Sequence, residues 1–577
     1  MPTRDDGERE VFDLVIVGSG VGGLTAAIAA HELGLRAVVL EKSAVYGGSS
    51  AMSGGTLWIP NNHLQAAAGV DDSLERAWTY VRALAEDRGA TLDAALMRRF
   101  LEVAPAAVAA LERCTPLRFD INVAQPDYHP ALAGGLAGGR SINARRFDGR
   151  RLGRELDRMR RSHPQTLIFG RVCVTPKEAR RLAARSPAAT RLLLRLFARY
   201  ALDLPGRLRG PRDRSLAMGN ALIGPLRLAL LERDIPLRRS CPVTALMQEE
   251  GRVVGVCAAR HGEARPIRAR RGVLLAAGGF AGDQSLRDRY LPQPSQVAWS
   301  AANRDNQGDA LRMGEAVGAA TGLLDQAWLT PTLVVPGEPL AWLLVVERAR
   351  PGCLLVDGRG RRFCSEGLPY EPAVQAIYQH QRAGAPAVPA WLLFDARYRR
   401  DYPCGPVLPG YAQPDARVPA PIRAALLRSA PSLEALARRI DVDPDVLQDT
   451  IRHFNDHAAR GEDPDFGKGS DAYSRYYGDA RVRPNPCLRP VTEAPFYAVP
   501  VMPGDLGTKG GLRIDPDARV LDRSGAPIPG LYATGNATAS VMGATYPGAG
   551  ATLAPSLAFG WIAAHTAAGE SDPPRER

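Results

Sequence analysis

Lysine is scarce in this chain of 577 residues, and almost all of its positive charge is arginine, although the net charge is +12. The basic residues concentrate between Arg140 and Arg239. No nucleic-acid motif accompanies them and aromatic residues are not interleaved with them, so we predict no nucleic-acid partner. We interpret the region as a solvated arginine-rich surface. The alternative is a peripheral membrane contact, because residues 191–200 mix arginines and leucines at helical spacing.

Cysteine and histidine are also sparse. The eight cysteines form no C-x-x-C pair, so the sequence encodes neither the ligands of an iron–sulfur cluster nor a zinc ribbon. We expect buried or free thiols in a reducing compartment. His453 and His457 have helical spacing, but no glutamate completes an H-E-x-x-H motif, so a solvated helix face is the better interpretation. We predict no metal site.

The sequence also lacks long apolar runs. No uninterrupted apolar stretch approaches the length of about 20 residues that spans a bilayer. Residues 1–10 carry charges of both signs and do not resemble a signal peptide. We therefore predict a cytoplasmic protein. A chain of this length is too long for a single core, so we expect two or more domains.

The most informative feature that is present lies near the N-terminus. The apolar run 14–17 predicts a buried parallel strand, and it leads into Gly18-x-Gly20-x-x-Gly23 and then a helical segment. The next apolar run ends at Glu41. Strand, glycine-rich turn, helix, strand and acid in this order predict a dinucleotide site. Gly18 allows the tight turn, Gly20 lets a pyrophosphate approach the backbone, Gly23 lets the helix pack on the sheet, and Glu41 accepts hydrogen bonds from a ribose.

Similar signals at both ends of the chain predict its domain organisation. Residues 8–290 open with the nucleotide motif and close with another strand signal after a hairpin. Residues 500–570 again show a strand, a glycine-rich turn and a helix. We predict an α/β protein in which these two segments form one Rossmann-like domain, a parallel sheet with an appended β hairpin or meander. Residues 291–499 would form an inserted α+β catalytic domain, and residues 571–577 a disordered tail.

Further motifs resemble those of a known group. Gly47-Gly48-Ser49-Ser50 and Ser53-Gly54-Gly55 follow the ribose acid at the spacing seen in flavoproteins of the succinate dehydrogenase/fumarate reductase superfamily. Within it, the chain resembles the 3-ketosteroid Δ1-dehydrogenases over nearly its whole length. The segments that carry this resemblance are 127–130, 147–153, 218–222, 308–309, 369–370, 465–466, 476–479, 484–487, 495–497, 504–511 and, most specifically, 535–552.

The resemblance implies that the Rossmann-like domain binds FAD. The covalently flavinylated relatives have a histidine in the serine/glycine stretch, whereas residues 47–55 contain none, so we expect noncovalent FAD. Gly308 and Asp309 we interpret as a turn and a helix start. The FAD-binding residues that we predict are Gly18, Ser19, Gly20, Gly22, Gly23, Glu41, Lys42, Gly48, Ser49, Ser50, Gly54, Gly55, Val243, Ala277, Gly278, Gly535, Asn536, Thr552 and Leu553.

The C-terminal motif departs from that of the fumarate reductases. Asn536, Met542 and Tyr546 stand where those enzymes have a glutamate, a histidine and an arginine. A dicarboxylate requires a bidentate cation, and this turn offers a phenol instead. We therefore predict an uncharged carbonyl substrate.

The resemblance also assigns catalytic roles. Tyr546 and the backbone N–H of Gly550 correspond to the pair that holds the C3 oxygen and stabilises the enolate. Tyr370 corresponds to the base for the C2 proton, with Tyr128 as its hydrogen-bond partner, while the C1 hydride passes to flavin N5. The implied activity is 1,2-dehydrogenation of 3-ketosteroids in steroid degradation.

Two alternatives stay open from the sequence. The same tyrosines would serve a smaller cyclic ketone, or the protein would bind flavin and steroid without turnover. The chain has no second G-x-G-x-x-G motif and no iron–sulfur ligands, so we expect an external electron acceptor, either a quinone or a soluble carrier.

Overall fold

The computed structural model describes residues 10–183, 186–260 and 263–569, and the predicted tail at 571–577 lies outside them. The strands are β1 Glu10–Val17, β2 Ala37–Leu40, β3 Thr56–Trp58, β4 Phe119–Ile121, β5 Ser141–Ala144, β6 Phe147–Asp148, β7 Leu167–Ile168, β8 Val172–Cys173, β9 Ser215–Leu216, β10 Leu237–Arg238, β11 Val243–Glu249, β12 Arg252–Arg260, β13 Glu263–Leu275, β14 Thr321–Gly322, β15 Ala327–Leu333, β16 Trp342–Leu343, β17 Cys353–Val356, β18 Ala390–Phe394, β19 Arg428–Ala430, β20 Phe496–Thr508, β21 Gly511–Leu512, β22 Arg519–Leu521 and β23 Pro527–Ala533. The α-helices are α1 Val21–Glu32, α2 Gly48–Met52, α3 Leu74–Asp87, α4 Ala94–Cys114, α5 Pro176–Ala183, α6 Pro187–Leu202, α7 Leu204–Arg209, α8 Met218–Glu232, α9 Gln284–Tyr290, α10 Asp309–Ala316, α11 Tyr370–Arg382, α12 Ala396–Asp401, α13 Ala420–Leu426, α14 Leu433–Arg439, α15 Pro444–Ala458, α16 Ala472–Tyr477 and α17 Leu553–Ala568.

The larger sheet has a parallel centre. Its order is β10-β2-β1-β13-β12-β11, and β23 adds to β13 and carries β22. β1 pairs in parallel with β2 and β13, and β13 pairs in parallel with β23. The apolar run of β1 is buried on both faces, as a central parallel strand requires. The antiparallel strands β11 and β12 extend this sheet through β13 and form the predicted meander.

The second sheet is antiparallel. Its order is β16-β15-β20-β18-β17, and β19 pairs with β20. Successive residues of a strand point to opposite faces, so the apolar runs of β17 and β18 require cover on both sides. Leu355 and Leu392 pack into one core, whereas Leu354 and Leu393 pack into another. The predicted α/β class, with a parallel nucleotide-binding sheet and an α+β part, is confirmed.

Strand β20 spans the predicted division between residues 499 and 500, because it runs unbroken to Thr508 within the second sheet. The domain boundaries themselves stay a prediction. Within the described ranges, no helix is both long and apolar enough to cross a membrane.

Candidate functional site

A cavity of about 510 Å³ lies where the parallel strands of the larger sheet end. Val17, Leu40 and Ala276 contribute to its wall from the carboxyl ends of β1, β2 and β13. Ligands of open α/β sheets bind at this edge, and ligand pockets have volumes of about 300–1,000 Å³. Tyr370 and Tyr546 line the same cavity. The predicted nucleotide motif and the predicted catalytic tyrosines therefore face one space.

The nucleotide motif builds a polar cradle in this wall. Glu41 Oε2 accepts hydrogen bonds from Ser19 N (3.2 Å) and Ser19 Oγ (2.5 Å), and its Oε1 accepts one from Ser43 N (2.9 Å). The N-cap residue of α1 is Gly20, which has no side chain to cap the first turn. The positive end of the helix dipole is thus available to a phosphate, and the carboxylate to a ribose, so the donor set fits a dinucleotide.

The structure brings most of the predicted cofactor residues together. Gly22, Gly23 and Gly55 lie outside the cavity wall. A Cβ at Gly22 would lie 2.6 Å from the carbonyl oxygen of Ser556 on α17, so this glycine permits helix–helix contact. The predicted residues that line the cavity are Gly18, Ser19, Gly20, Glu41, Lys42, Gly48, Ser49, Ser50, Gly54, Val243, Ala277, Gly278, Gly535, Asn536, Thr552 and Leu553.

A group of polar residues that the sequence did not assign to the cofactor also lines the cavity. Asp309 begins α10 as predicted, and its carboxylate accepts a hydrogen bond from Lys42 Nζ at 2.5 Å. Asn306 donates to Ser49 Oγ at 2.9 Å, and Asp305 accepts from Ser43 Oγ at 2.7 Å. The sequence predicts only a turn and a helix start at Gly308 and Asp309, because nothing in it pairs this region with residues more than 250 positions earlier.

Three tyrosines from distant parts of the chain form one cluster. The hydroxyl groups of Tyr128 and Tyr370 are hydrogen-bonded to each other, and Tyr370 donates to Tyr546 across 3.3 Å. Their ring centroids lie 5.0–5.3 Å apart. Tyr370 and Tyr546 line the cavity, whereas Tyr128 is buried behind them. The arrangement connects a hydroxyl at the cavity wall to a second, buried hydroxyl.

Burial governs the protonation of this cluster. It raises the pKa of Tyr370 well above the ordinary value, and the hydrogen bond from Tyr128 opposes that rise. Burial likewise raises the pKa of Tyr128. The pKa of Tyr546 rises to about 12, also mainly through burial. All three phenols hold their protons at neutral pH in the unliganded protein, so Tyr546 is a permanent hydrogen-bond donor there.

The loop that carries Tyr546 is fixed by the first part of the chain. Tyr128 N and the Tyr80 hydroxyl both donate to the carbonyl of Pro547, at 2.9 and 2.7 Å. Asp127 accepts hydrogen bonds from Trp58 Nε1 (2.8 Å) and from Arg140 (2.7 Å). These bonds hold the positions of the Tyr128 and Tyr546 side chains relative to each other.

Gly550 lies where α17 is about to begin. Its φ is +99°, and a Cβ there would lie 2.6 Å from the backbone of Leu57. A side chain is therefore excluded on two grounds, backbone conformation and space. The missing side chain leaves the backbone of this residue at the cavity wall.

A buried charged pair beside the tyrosines was missed by the sequence reasoning. Lys509 Nζ lies 2.6 Å from Glu371 Oε1 and 2.9 Å from the carbonyl oxygen of Thr545. It also lies over the rings of Trp328 and Tyr546. Burial lowers the pKa of Lys509 and raises that of Glu371. The scarcity of lysine is the one feature of the sequence that points to Lys509, since two of the four lysines, Lys42 and Lys509, contact cavity residues.

The predicted surface histidines lie on α15. His453 Nε2 contacts Asp465 at 2.9 Å, and His457 Nδ1 contacts Arg460 at 2.9 Å. Across the residues that the structure describes, no group of three or more His, Cys, Asp or Glu side chains could hold a metal ion.

The fold and this cavity define the class of protein. A family model described as an FAD binding domain matches residues 13–553. The match covers the glycine motif, Glu41 and the tyrosine cluster, so the prediction of FAD as the cofactor is confirmed.

Individual relatives show which proteins of this class the chain is similar to. The 3-oxosteroid 1-dehydrogenase of Mycobacterium tuberculosis (strain H37Rv) is 37% identical over 565 residues, which cover 96% of this chain and 97% of that protein. The 4-oxocyclohexanecarboxylate 2-dehydrogenase of Sinomonas cyclohexanicum is 36% identical, with 98% and 94% covered. The crystal structure of the 3-ketosteroid delta1-dehydrogenase from Sterolibacterium denitrificans, in complex with 1,4-androstadiene-3,17-dione, matches with a TM-score of 0.92 and 42% identity, over 97% of this chain and 100% of that one. The chain therefore belongs to the family of FAD-dependent flavoproteins that contains the 3-oxosteroid 1-dehydrogenases.

Proposed function

We propose that this protein is an FAD-dependent dehydrogenase that introduces a double bond between C1 and C2 of a 3-ketosteroid. The observation that carries the proposal is the meeting of Tyr128, Tyr370 and Tyr546 beside a cavity whose wall also contains a dinucleotide cradle. Relatives named 3-oxosteroid 1-dehydrogenase that match nearly the whole chain support it.

The substrate ketone accepts hydrogen bonds from Tyr546 and from the backbone N–H of Gly550. With a pKa of about 12, Tyr546 stays protonated at every physiological pH and donates a hydrogen bond to the carbonyl oxygen. As the enolate forms, negative charge grows on that oxygen, and donors in a buried site stabilise it more strongly than water does. Both groups thus make the C2 proton more acidic.

Tyr370 takes the C2 proton. Since burial holds its pKa high, the reactive phenolate is a minor species, and the hydroxyl of Tyr128 stabilises it by donating a hydrogen bond. The electron pair left at C2 forms the C1–C2 double bond while the C1 hydrogen leaves with two electrons. The chemistry that bound FAD supplies is acceptance of that hydride.

The cradle at the strand ends would hold the cofactor noncovalently. Glu41 would accept hydrogen bonds from its ribose, and the N-terminus of α1 would bind its pyrophosphate. The first turn of α17, near Leu553, adds a second positive helix end at the cavity wall.

A smaller cyclic ketone is the second candidate substrate. The relative named 4-oxocyclohexanecarboxylate 2-dehydrogenase matches this chain as fully as the steroid enzymes do. The same donors and base would serve either ring, because both reactions remove hydrogens next to a carbonyl.

Electrons then leave to an external acceptor, a quinone or a soluble carrier, in the cytoplasm. The support for this is a sequence argument: the chain has one G-x-G-x-x-G motif and no C-x-x-C pair.

Anaerobic reduction of the holoenzyme tests the proposal. 4-Androstene-3,17-dione should bleach the flavin absorbance and yield the 1,4-diene, and it should do so with a higher kcat/KM than 4-oxocyclohexanecarboxylate. Bound steroid without bleaching would identify a non-catalytic binder, and faster reduction by the small ketone would favour the second candidate.

A tyrosine variant tests the proposed base. Tyr370→Phe should keep the flavin spectrum and lose activity by orders of magnitude. Tyr378→Phe is the matched control, because it removes a hydroxyl on the same helix that donates to the backbone of Pro294 and Pro503. Near-normal turnover of Tyr370→Phe would remove this residue from the mechanism.

A further inference from the structure

An exposed apolar patch lies on the arginine-rich part of the chain. Ten large apolar side chains are exposed among the described residues, and five of them fall between residues 169 and 208. They are 62–90% exposed. We call this set the apolar patch: Phe169, Leu194, Leu202, Leu204 and Leu208.

Two consecutive helices carry the leucines of the patch. On α6, Leu194, Ala198 and Leu202 follow one another at four-residue spacing, and all three are exposed. The opposite side of α6 buries Leu196. On α7, Leu204 and Leu208 have the same spacing and are also exposed. Asp203, whose backbone is not helical, separates the two helices, so each of them carries its own exposed leucines at this spacing.

Phe169 contacts α6 through an aromatic pair. Its ring lies 5.8 Å, centroid to centroid, from that of Phe197 on α6. The small core beneath these helices consists of Val172, Val174 and Leu196, with partly buried neighbours. The exposed leucines are not part of that core, and exposed apolar side chains among charged residues are typical of an interaction site.

The segment that carries the patch is rich in cations. Residues 164–212 contain eleven arginines and lysines but only two acids, Glu178 and Asp203. Both acids are bound by arginines, Arg146 and Arg214 respectively. The cations nearest the stripe in sequence, Arg191, Arg195 and Arg209, are exposed. A solvated arginine surface explains these charges but not the leucines between them.

The patch is connected to the cavity wall. His163, Gln165 and Thr166 line the cavity, and the chain passes from them straight into β7 and then Phe169. Met218 lines the cavity and also packs against the small core under α6. An apolar molecule dissolved in a surface that binds the patch would therefore be close to the substrate cavity.

We propose that the apolar patch and its arginines dock the protein on the surface of an anionic lipid bilayer. Leucines and phenylalanine enter the boundary between headgroups and acyl chains, and arginines bind the lipid phosphates, which is the pattern of interfacial amphipathic helices. The charge balance of the segment excludes a basic partner. The exposed apolar side chains are aliphatic apart from Phe169, so they offer little for stacking nucleobases. The docking does not depend on which ketone is the substrate.

Vesicle flotation of the full-length holoenzyme tests this docking. The protein should float with vesicles of phosphatidylglycerol and phosphatidylcholine, more weakly with phosphatidylcholine alone, and less at high salt. Each arginine near an anionic surface contributes about a fivefold change in partitioning, so Arg191→Gln with Arg195→Gln should lower it about 25-fold. The matched control, Arg438→Gln with Arg452→Gln, removes two exposed arginines elsewhere and should change nothing.

The leucines give an independent test. Leu194→Gln with Leu202→Gln and Leu208→Gln should abolish flotation at every salt concentration, whereas Tyr411→Gln, a 64% exposed residue outside the patch, should not. All variants should keep wild-type activity towards dissolved substrate, which verifies their folding. If the leucine variant misfolds, the arginine double variant by itself still tests the proposal. Lack of flotation by the wild type, equal binding by variant and control, or a dimer that the leucine substitutions dissociate would each overturn the proposal. Salt-sensitive binding to RNA without vesicle binding would also overturn it.

Discussion

Replacement of Tyr546 by phenylalanine removes one hydroxyl and leaves the packing of the ring. The ring is 5% exposed and lies against Trp328, Tyr128 and Tyr370, with centroid distances of 4.7, 5.0 and 5.3 Å. Phenylalanine fills the same space and keeps these edge and tilted contacts. Any loss of activity in Tyr546→Phe therefore reports the hydroxyl and not a collapsed cavity.

The size of the loss follows from the role of that hydroxyl. It is one of two proposed donors to the substrate carbonyl, and burial raises its pKa to about 12, so it is protonated at neutral pH. Removal of one such donor from an oxyanion site costs about 2.7–4 kcal/mol, or about 100-fold to 1,000-fold in kcat. Substrate binding should weaken less, because the ground-state ketone carries less negative charge than the enolate.

Anaerobic stopped-flow measurement of flavin reduction gives this rate directly, before any acceptor is involved. Tyr473→Phe is the matched control, since the Tyr473 ring packs against Tyr128, is 2% exposed and has a hydroxyl with no hydrogen-bond partner among the residues that the structure describes. It should retain nearly full activity. A loss below tenfold in Tyr546→Phe, or an equal loss in Tyr473→Phe, would refute the assignment of the carbonyl donor.

Three further results are expected. Because burial raises the pKa of Tyr370 well above 10, the phenolate fraction grows about tenfold per pH unit, so the rate of flavin reduction should rise from pH 7 to 10; a plateau near pH 7 would contradict a tyrosine base. Lys509→Met should lower the free energy of unfolding by about 3–5 kcal/mol in urea titrations, since it leaves Glu371 buried without its partner. Adding Glu371→Leu should restore most of the lost stability, and additive losses from the two substitutions would disprove the coupling. Glu41→Gln should raise the Kd for FAD about 10-fold to 100-fold in titrations of flavin-free protein, because hydrogen bonds to a charged acceptor are weakened, and an unchanged Kd would contradict a ribose contact.

The nucleotide half of the site could be predicted because its determinants are local. Gly18, Gly20 and Glu41 lie within one strand–helix–strand unit, and the spacing of that unit forces them to one edge of the sheet. The same local logic predicted the helix that begins at Asp309 but not its contact with Lys42. That contact depends on how the second part of the chain returns to the first.

The tyrosine cluster could be predicted only by resemblance. Tyr128, Tyr370 and Tyr546 are separated by 242 and 176 positions, and no periodicity relates them. The Glu371–Lys509 pair stayed unrecognised for the same reason, since a charged residue in the sequence carries no sign that it will be buried against another.

The sequence by itself determined the class of the fold and the edge of the sheet at which the glycine motif and Glu41 lie, because glycine turns, apolar runs and this acid fall within one strand–helix–strand unit. Only the tertiary structure decided which hydroxyls meet, how far burial raises their pKa values, and which leucines are left outside the core. Those properties depend on packing between segments hundreds of residues apart, and desolvation exists only once that packing has formed.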